Sequence, residues 1–213
     1  MSRWLNAADV LRNNAYLHPD KMGAKDLSRS LTFKEWNDRA NRLANALLGM
    51  GVKPGDRFAA IAYNCVEWME MYAAAAKGGF TIIPILFRLT PEEYKYICEH
   101  GEAKAFIVQD GFVDGVNSIR DKLPIPKENY LFFGKDTAPA RYRHYETIIQ
   151  EASVKDPGVN VDEEAPWTIT YTSGTTGTPK GVVRSHRSFI AYNWLHATNF
   201  EFNENDIALL VMP

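Results

Sequence analysis

Apolar positions along the chain alternate between two periods, one of three to four residues and one of short β-branched or aromatic runs. Trp4, Leu5, Val10, Leu11, Tyr16 and Leu17 fall at helical spacing and predict an amphipathic helix over 4–18 that stops at His18-Pro19. Residues 22–25 and 29–32, separated by a polar turn, predict a hairpin. Thr32-Phe33-Lys34-Glu35 has the form of a capping box. The stripe Phe33, Trp36, Ala40, Leu43, Ala44, Leu47 and Leu48 continues it as a helix that Gly51 closes. Residues 57–63 read as a strand. Asn64 is placed to cap a helix over 66–77, which Gly78-Gly79 ends. Residues 80–86 read as another strand, and Pro84 within it predicts a sheet edge or a bend. A second capping box, Thr90-Pro91-Glu92-Glu93, opens a helix that runs to His100, and 103–108 reads as a fully buried strand.

Beyond it, residues 112–122 read as helical, 130–133 as a strand and 145–152 as a helix. The polar, acidic stretch 153–166 is either a linker or an ordered surface excursion. A β-branched strand follows from 168. Residues 181–184 read as its return strand, Ser185 caps a helix from 186 to about 198, and 206–212 reads as a last apolar strand. Phe189, Tyr192 and Trp194 fall at helical spacing and predict core positions. Strands alternating with helices long enough to cross over predict an α/β fold, a mainly parallel sheet flanked by helices with right-handed connections.

Composition changes this picture little. The chain has 213 residues, of which 46% are hydrophobic and 23% charged, with a formal net charge of −2. A chain of that length buries roughly 70% of its unfolded surface. Near-neutral charge gives no electrostatic case for nucleic acid or an acidic membrane. Cys65 and Cys98 sit in apolar helix-like runs, where cysteine behaves as a small hydrophobe. No cleavable leader and no run of about 18 apolar residues is present, which predicts a soluble cytoplasmic protein without a membrane span. His18, His100, His144, His186 and His196 are scattered without metal-ligand spacing, so no metal ligand is assigned.

The candidate chemistry lies in residues 168–182, where the strand breaks into a loop of hydroxyls and glycines closed by a lysine. Gly174, Gly177 and Gly181 let backbone N–H groups approach an anion. Thr172, Ser173, Thr175, Thr176 and Thr178 add neutral donors, and Lys180, after Pro179, brings the positive charge. A Ser/Thr/Gly cluster between strands is often only a solvated turn. Ten such residues ending in Pro-Lys-Gly point instead to phosphate. The nucleoside-triphosphatase pattern G-x-x-x-x-G-K-[ST] does not fit. Counted from Gly174, its second glycine is Pro179, and Gly181 stands where the magnesium-holding hydroxyl belongs.

From Tyr171 to Val182 the chain resembles, residue for residue, the signature [YF]-T-S-G-[TS]-T-G-x-P-K-G-V of the adenylate-forming (AMP-binding) superfamily: acyl-CoA synthetases, peptide-synthetase adenylation domains and luciferases. Leu31–Trp36, Gly51–Arg57 and the blocks 76–84 and 89–93 are similar to its upstream segments, and Ser185-His186-Arg187-Ser188 to its [ST]-H-R-N, with Ser188 for asparagine. The resemblance implies that Thr172, Ser173, Gly174, Thr175, Thr176, Gly177, Thr178, Pro179 and Lys180 grip the β- and γ-phosphates of ATP while a carboxylate attacks the α-phosphorus. It also implies Mg2+, coenzyme A as co-substrate, a carboxylic acid such as a fatty acid, and further motifs for adenine, ribose, magnesium and a catalytic lysine that this sequence lacks. Residues 1–213 are then the N-terminal portion of an AMP-binding domain, without its C-terminal domain, and are expected to be inactive alone. No catalytic residue is assigned. Two alternatives stay open, an amino-acid adenylation domain and a non-catalytic nucleotide- or anion-binding module. His186 reads as a structural hydrogen-bonder, and Arg141, Arg143 and Arg184 as solvated. An uncovered apolar C-terminal strand predicts self-association through that region.

Overall fold

The computed structural model describes residues 5–134, 137–172, 179–203 and 205–211. The elements run α1 (Ala7–Leu17), β1 (Met22–Lys25), β2 (Ser30–Thr32), α2 (Phe33–Gly49), β3 (Arg57–Ile61), α3 (Glu67–Gly78), β4 (Thr81–Ile85), α4 (Pro91–His100), β5 (Ala103–Gln109), α5 (Val113–Ile119), β6 (Tyr130–Phe133), β7 (Arg143–His144), α6 (Tyr145–Glu151), β8 (Pro166–Thr172), β9 (Lys180–Ser185) and α7 (His186–Asn199). Single 3-10 turns at Asp110–Phe112 and Arg120–Lys122 bracket α5. β1 and β2 form a separate antiparallel hairpin, and the other strands make one sheet in the order β7-β6-β5-β3-β4-β8-β9. All its pairs are parallel except β8 with β9.

Both faces of the sheet are buried at β3, β4, β5 and β6, with the period of two that strands impose. Phe58 and Ala60 of β3, Ile107 of β5 and Leu131 of β6 face one core with Leu43, Met71 and Ile148 of α2, α3 and α6. Ala59 and Ile61 of β3, Phe106 and Val108 of β5 and Phe132 of β6 face the other, with Tyr94, Ile97 and Val116 of α4 and α5. The predicted capping boxes form at Thr32 with Glu35 and at Thr90 with Glu93. A third, Asn6 with Asp9, starts α1.

Four expectations change. Asn64 does not cap α3. Its amide donates to the Leu210 carbonyl (3.4 Å), and the Val66 N–H at the helix start donates instead to the Asp26 carboxylate (2.9 Å). Pro84 is not on an edge, because β4 lies between β3 and β8. Its missing N–H is tolerated there because pairing to β8 is confined to Ile82↔Thr168, two residues earlier. The strand expected over 206–212 is absent among its described residues, 206–211, where Leu209 is 83% exposed; with no strand beside it among the described residues, an apolar run alone does not make a strand. α7 leaves Tyr192 and Trp194 exposed, and of the three aromatic residues expected in the core only Phe189 packs on it.

The stretch 153–166 is an ordered surface strap. Asn41 and Asn45 of α2 donate to the carbonyls of Val154, Ser153 and Lys155 (2.8–3.0 Å). Asp156 accepts from Arg12 of α1 (2.7 Å) and from the fully buried Lys77 of α3 (3.3 Å), which also donates to Asn37 (2.7 Å). Burial acts to raise the Asp156 carboxyl, but Arg12, the Gly158 N–H and Lys77 outweigh it and hold it at about 2. Burial lowers the Lys77 ammonium to about 8, against its ordinary 10.5, despite Asp156. Between those values the unfolded chain keeps a proton that the folded chain has released, so Lys77 makes stability rise with pH across that window. Urea unfolding from pH 7.5 to 10.5 should therefore show the wild type gaining stability relative to Lys77→Met. Parallel curves would place the Lys77 pKa at its ordinary value.

Candidate functional site

The chain reverses its direction of travel across the sheet at β3 and β4. From β3 it crosses to β4 through α3, on the face carrying Met71, and from β4 it crosses back over β3 to β5 through α4, on the face carrying Ile97. Connections leaving adjacent strands for opposite faces open a crevice at the carboxyl edge, where ligands bind in open α/β sheets. Tyr63, just after β3, is half-exposed there and packs against Phe87 (5.1 Å) and Phe112 (4.9 Å), which follow β4 and β5.

β8 runs parallel to β4, so its carboxyl end reaches the same edge. There it turns into β9, with the registers Tyr171↔Gly181 and Thr172↔Lys180. Cross-strand partners share a face, so Thr172 and the exposed Lys180 stand side by side at the tip of the described hairpin. Ser173, Gly174, Thr175, Thr176, Gly177 and Thr178 lie outside the described residues. Of the nine candidate phosphate-binding residues the structure thus brings together Thr172, Pro179 and Lys180.

The hairpin is held at both ends. At its root Trp167 is buried, donates from its indole N–H to the Tyr72 carbonyl of α3 (3.0 Å), and packs on Phe189 of α7 (4.4 Å). Near the tip, Tyr96 and His100, one turn apart on α4, stack on each other (5.4 Å) and take Tyr171 edge-on. The Tyr171 hydroxyl lies 2.7 Å from His100 Nδ1, and Tyr96 donates to the carbonyl of Pro179 (3.1 Å). Burial pushes the Tyr171 hydroxyl up to about 12, with Tyr96 and Cys98 adding to it, so it stays protonated at neutral pH. Gly181 opposite Tyr171 is required by space, since a Cβ there would lie 2.9 Å from Ile169 Cγ2 and 3.3 Å from the tyrosine ring.

Other residues weighed from sequence fall elsewhere. His186 is buried, stacks on Trp167 (5.9 Å), and accepts from the Ala7 N–H through Nδ1 (3.3 Å), which ties the start of α7 to α1. Arg184 lies over Tyr192 (5.6 Å), and Arg141 pairs with Asp121. Among the described residues no three His, Cys, Asp or Glu side chains are placed to hold a metal ion, and no helix is long and apolar enough to cross a membrane. The aromatic brace was missed from sequence. Tyr96 and His100 at four-residue spacing mark one helix face, but nothing local points to Tyr171, 71 positions from His100.

Comparison with known proteins agrees with this geometry. The family model described as AMP-binding enzyme matches residues 11–213. A long-chain-fatty-acid–CoA ligase of Thermus thermophilus is 35% identical over the whole chain, which covers 40% of that protein. A fatty acid–acyl-carrier-protein ligase of Streptomyces coeruleorubidus is 32% identical over 87% of the chain and 34% of its own length. The crystal structure of an anthranilate CoA ligase in complex with anthranoyl-AMP superposes with a TM-score of 0.87 at 27% identity, over 93% of this chain and 38% of that one. The chain thus spans 34–40% of the length of these two ligases.

Proposed function

The chain belongs to the AMP-binding enzyme family, and on that premise we propose that it is the N-terminal portion of an ATP-dependent acid–thiol ligase of the acyl-CoA synthetase type. Ligases of fatty acids among its relatives support a fatty-acid substrate. The observation that carries the reading is the braced hairpin presenting Thr172 and Lys180 beside the β3/β4 crevice. In the proposed reaction a carboxylate oxygen bonds to the α-phosphorus of ATP, and the bond to the bridging oxygen breaks to release pyrophosphate. A thiol, that of coenzyme A, then loses its proton and attacks the acyl carbonyl, and AMP departs. ATP and coenzyme A make the cytoplasm the natural setting.

Within this scheme residues 172–180 bind and orient the polyphosphate, and Lys180 neutralises charge as pyrophosphate leaves, which is positioning and electrostatic stabilisation rather than covalent catalysis. Magnesium would share that charge, but the described residues supply no carboxylate set for it, so no step is assigned through it. Peptide-synthetase adenylation is the rival within the family, and an anion-binding module without ligase activity the rival outside it. The longer protein encoded with this chain should exchange pyrophosphate into ATP only with a carboxylic acid present, and Lys180→Ala should lower that exchange roughly a hundredfold. Exchange dependent on an amino acid would favour the first rival, and none with any acid the second. The 213-residue chain alone should show no exchange above its own Lys180→Ala control.

We further propose that the isolated chain self-associates through its C-terminal region. Trp194, Leu195, Phe200, Phe202, Leu209 and Leu210 are all more than half exposed, and β9 has no partner on its outer edge among the described residues. Light scattering at tens of micromolar should give a dimer or larger species, reduced by Leu210→Lys. A monomer, or an assembly that Leu210→Lys leaves intact, contradicts this.

A further inference from the structure

The hairpin tip is tied to α4 at two points, one on each arm, and each point falls one residue before a candidate phosphate ligand. On β8 the Tyr171 hydroxyl, just before Thr172, lies 2.7 Å from His100 Nδ1. On the return side Tyr96 donates to the carbonyl of Pro179 (3.1 Å), just before Lys180. Tyr96 and His100 stand one turn apart on one face of α4, their rings stacked at 5.4 Å. The two bonds therefore bracket residues 173–178 from outside, and the spacing of two side chains on a helix sets the spacing of the two stems.

The platform that carries them is itself anchored. The Thr90–Glu93 box starts α4, and Arg57 of β3 donates from Nε to the carbonyl of Gly101, the residue after the helix (2.9 Å). Gly101 also leaves room for the contact, since a Cβ there would lie 2.5 Å from Ile83 Cδ1 and 3.3 Å from the Tyr171 hydroxyl. His100 is exposed, so removing its ring opens no cavity in the core. The register pair that joins β8 to β4, Ile82↔Thr168, lies three residues before Tyr171. Past that pair, α4 side chains hold what the β4 backbone does not.

We propose that His100 is a positioning residue for polyphosphate, acting through Tyr171 and forming with Tyr96 a two-point clamp on the stems of the loop. This rests on the polyphosphate reading of the hairpin and adds to it the residue that shapes the grip. Stems held in place before binding lose less conformational entropy when the ligand arrives. The clamp needs both points, because releasing one stem lets it move relative to the other. Loss of either bond therefore removes most of the effect, and the two losses do not add.

The test is a titration of the purified chain with tripolyphosphate at constant ionic strength, followed through the Gly181 amide resonance. His100→Ala and Tyr171→Phe should each weaken saturation about fivefold, the factor that one hydrogen bond is worth. The double variant should be no weaker than either, because both remove the same bond. Tyr96→Phe combined with His100→Ala should fall short of the product of the two single losses. His100→Asn keeps a polar atom near the place of Nδ1 and should bind within about twofold of the wild type. A ring that served only by packing on Tyr96 would leave His100→Asn as weak as His100→Ala, and that result overturns the proposal. Saturation that needs Lys180 but is unchanged in His100→Ala and Tyr171→Phe overturns it as well, and leaves the polyphosphate reading standing. No saturation, or saturation indifferent to Lys180→Ala, overturns the polyphosphate reading and the clamp with it.

Discussion

Burial of both faces of β3, β4 and β5 is the constraint on which the rest of the structure depends. Phe58, Ala60 and Ile107 point one way, Ala59, Ile61, Phe106 and Val108 the other, and all are fully buried. Neither face can be left to water, so successive crossover helices must be shared between them, α3 on one and α4 on the other. That division forces the chain to reverse across β3 and opens the crevice at their carboxyl ends. The site's position is thus a by-product of covering the sheet.

What the sheet does not supply is stiffness for a hairpin that overhangs this edge. Pairing of β8 to β4 rests on one register pair, so side chains do much of the work. Trp167 fixes the root to α3 and α7, while Tyr96, His100 and Tyr171 fix the tip to α4. A loop that binds by converging N–H groups gains affinity when its ends are already ordered, because less conformational entropy is lost on binding. Beyond the hairpin the support ends, and α7 with residues 200–211 carries apolar side chains into solvent.

How far the sequence could be read follows the range of the interactions involved. The boxes at Thr32 and Thr90 are complete within four residues, and both form as read. Asn64 had the right chemistry and position, but Asp26, forty residues earlier, reaches the α3 start first, which no local pattern reveals. Pro84 correctly signalled a missing donor, and only the sheet order shows that an interior strand can carry it. The strap over 153–166 could not be told from a linker until Arg12, Asn41, Asn45 and Lys77, spread over three helices, closed on it. Of the site itself the identity of residues 171–182 was legible, since the motif is contiguous. The brace that holds it was not, and neither was the exposure of Tyr192 and Trp194, because helical spacing predicts a common face and not what covers it.

The central claim is that a hairpin ending at Lys180, steadied by α4, grips polyphosphate. Calorimetric titration of tripolyphosphate and of ATP into this chain tests it most directly. The account predicts millimolar binding of both, equivalent to about −4 kcal/mol, with ATP no tighter than tripolyphosphate. Lys180→Ala should abolish it and Tyr96→Phe weaken it several-fold, through the lost bond to the Pro179 carbonyl. Binding that survives Lys180→Ala undiminished would contradict the account.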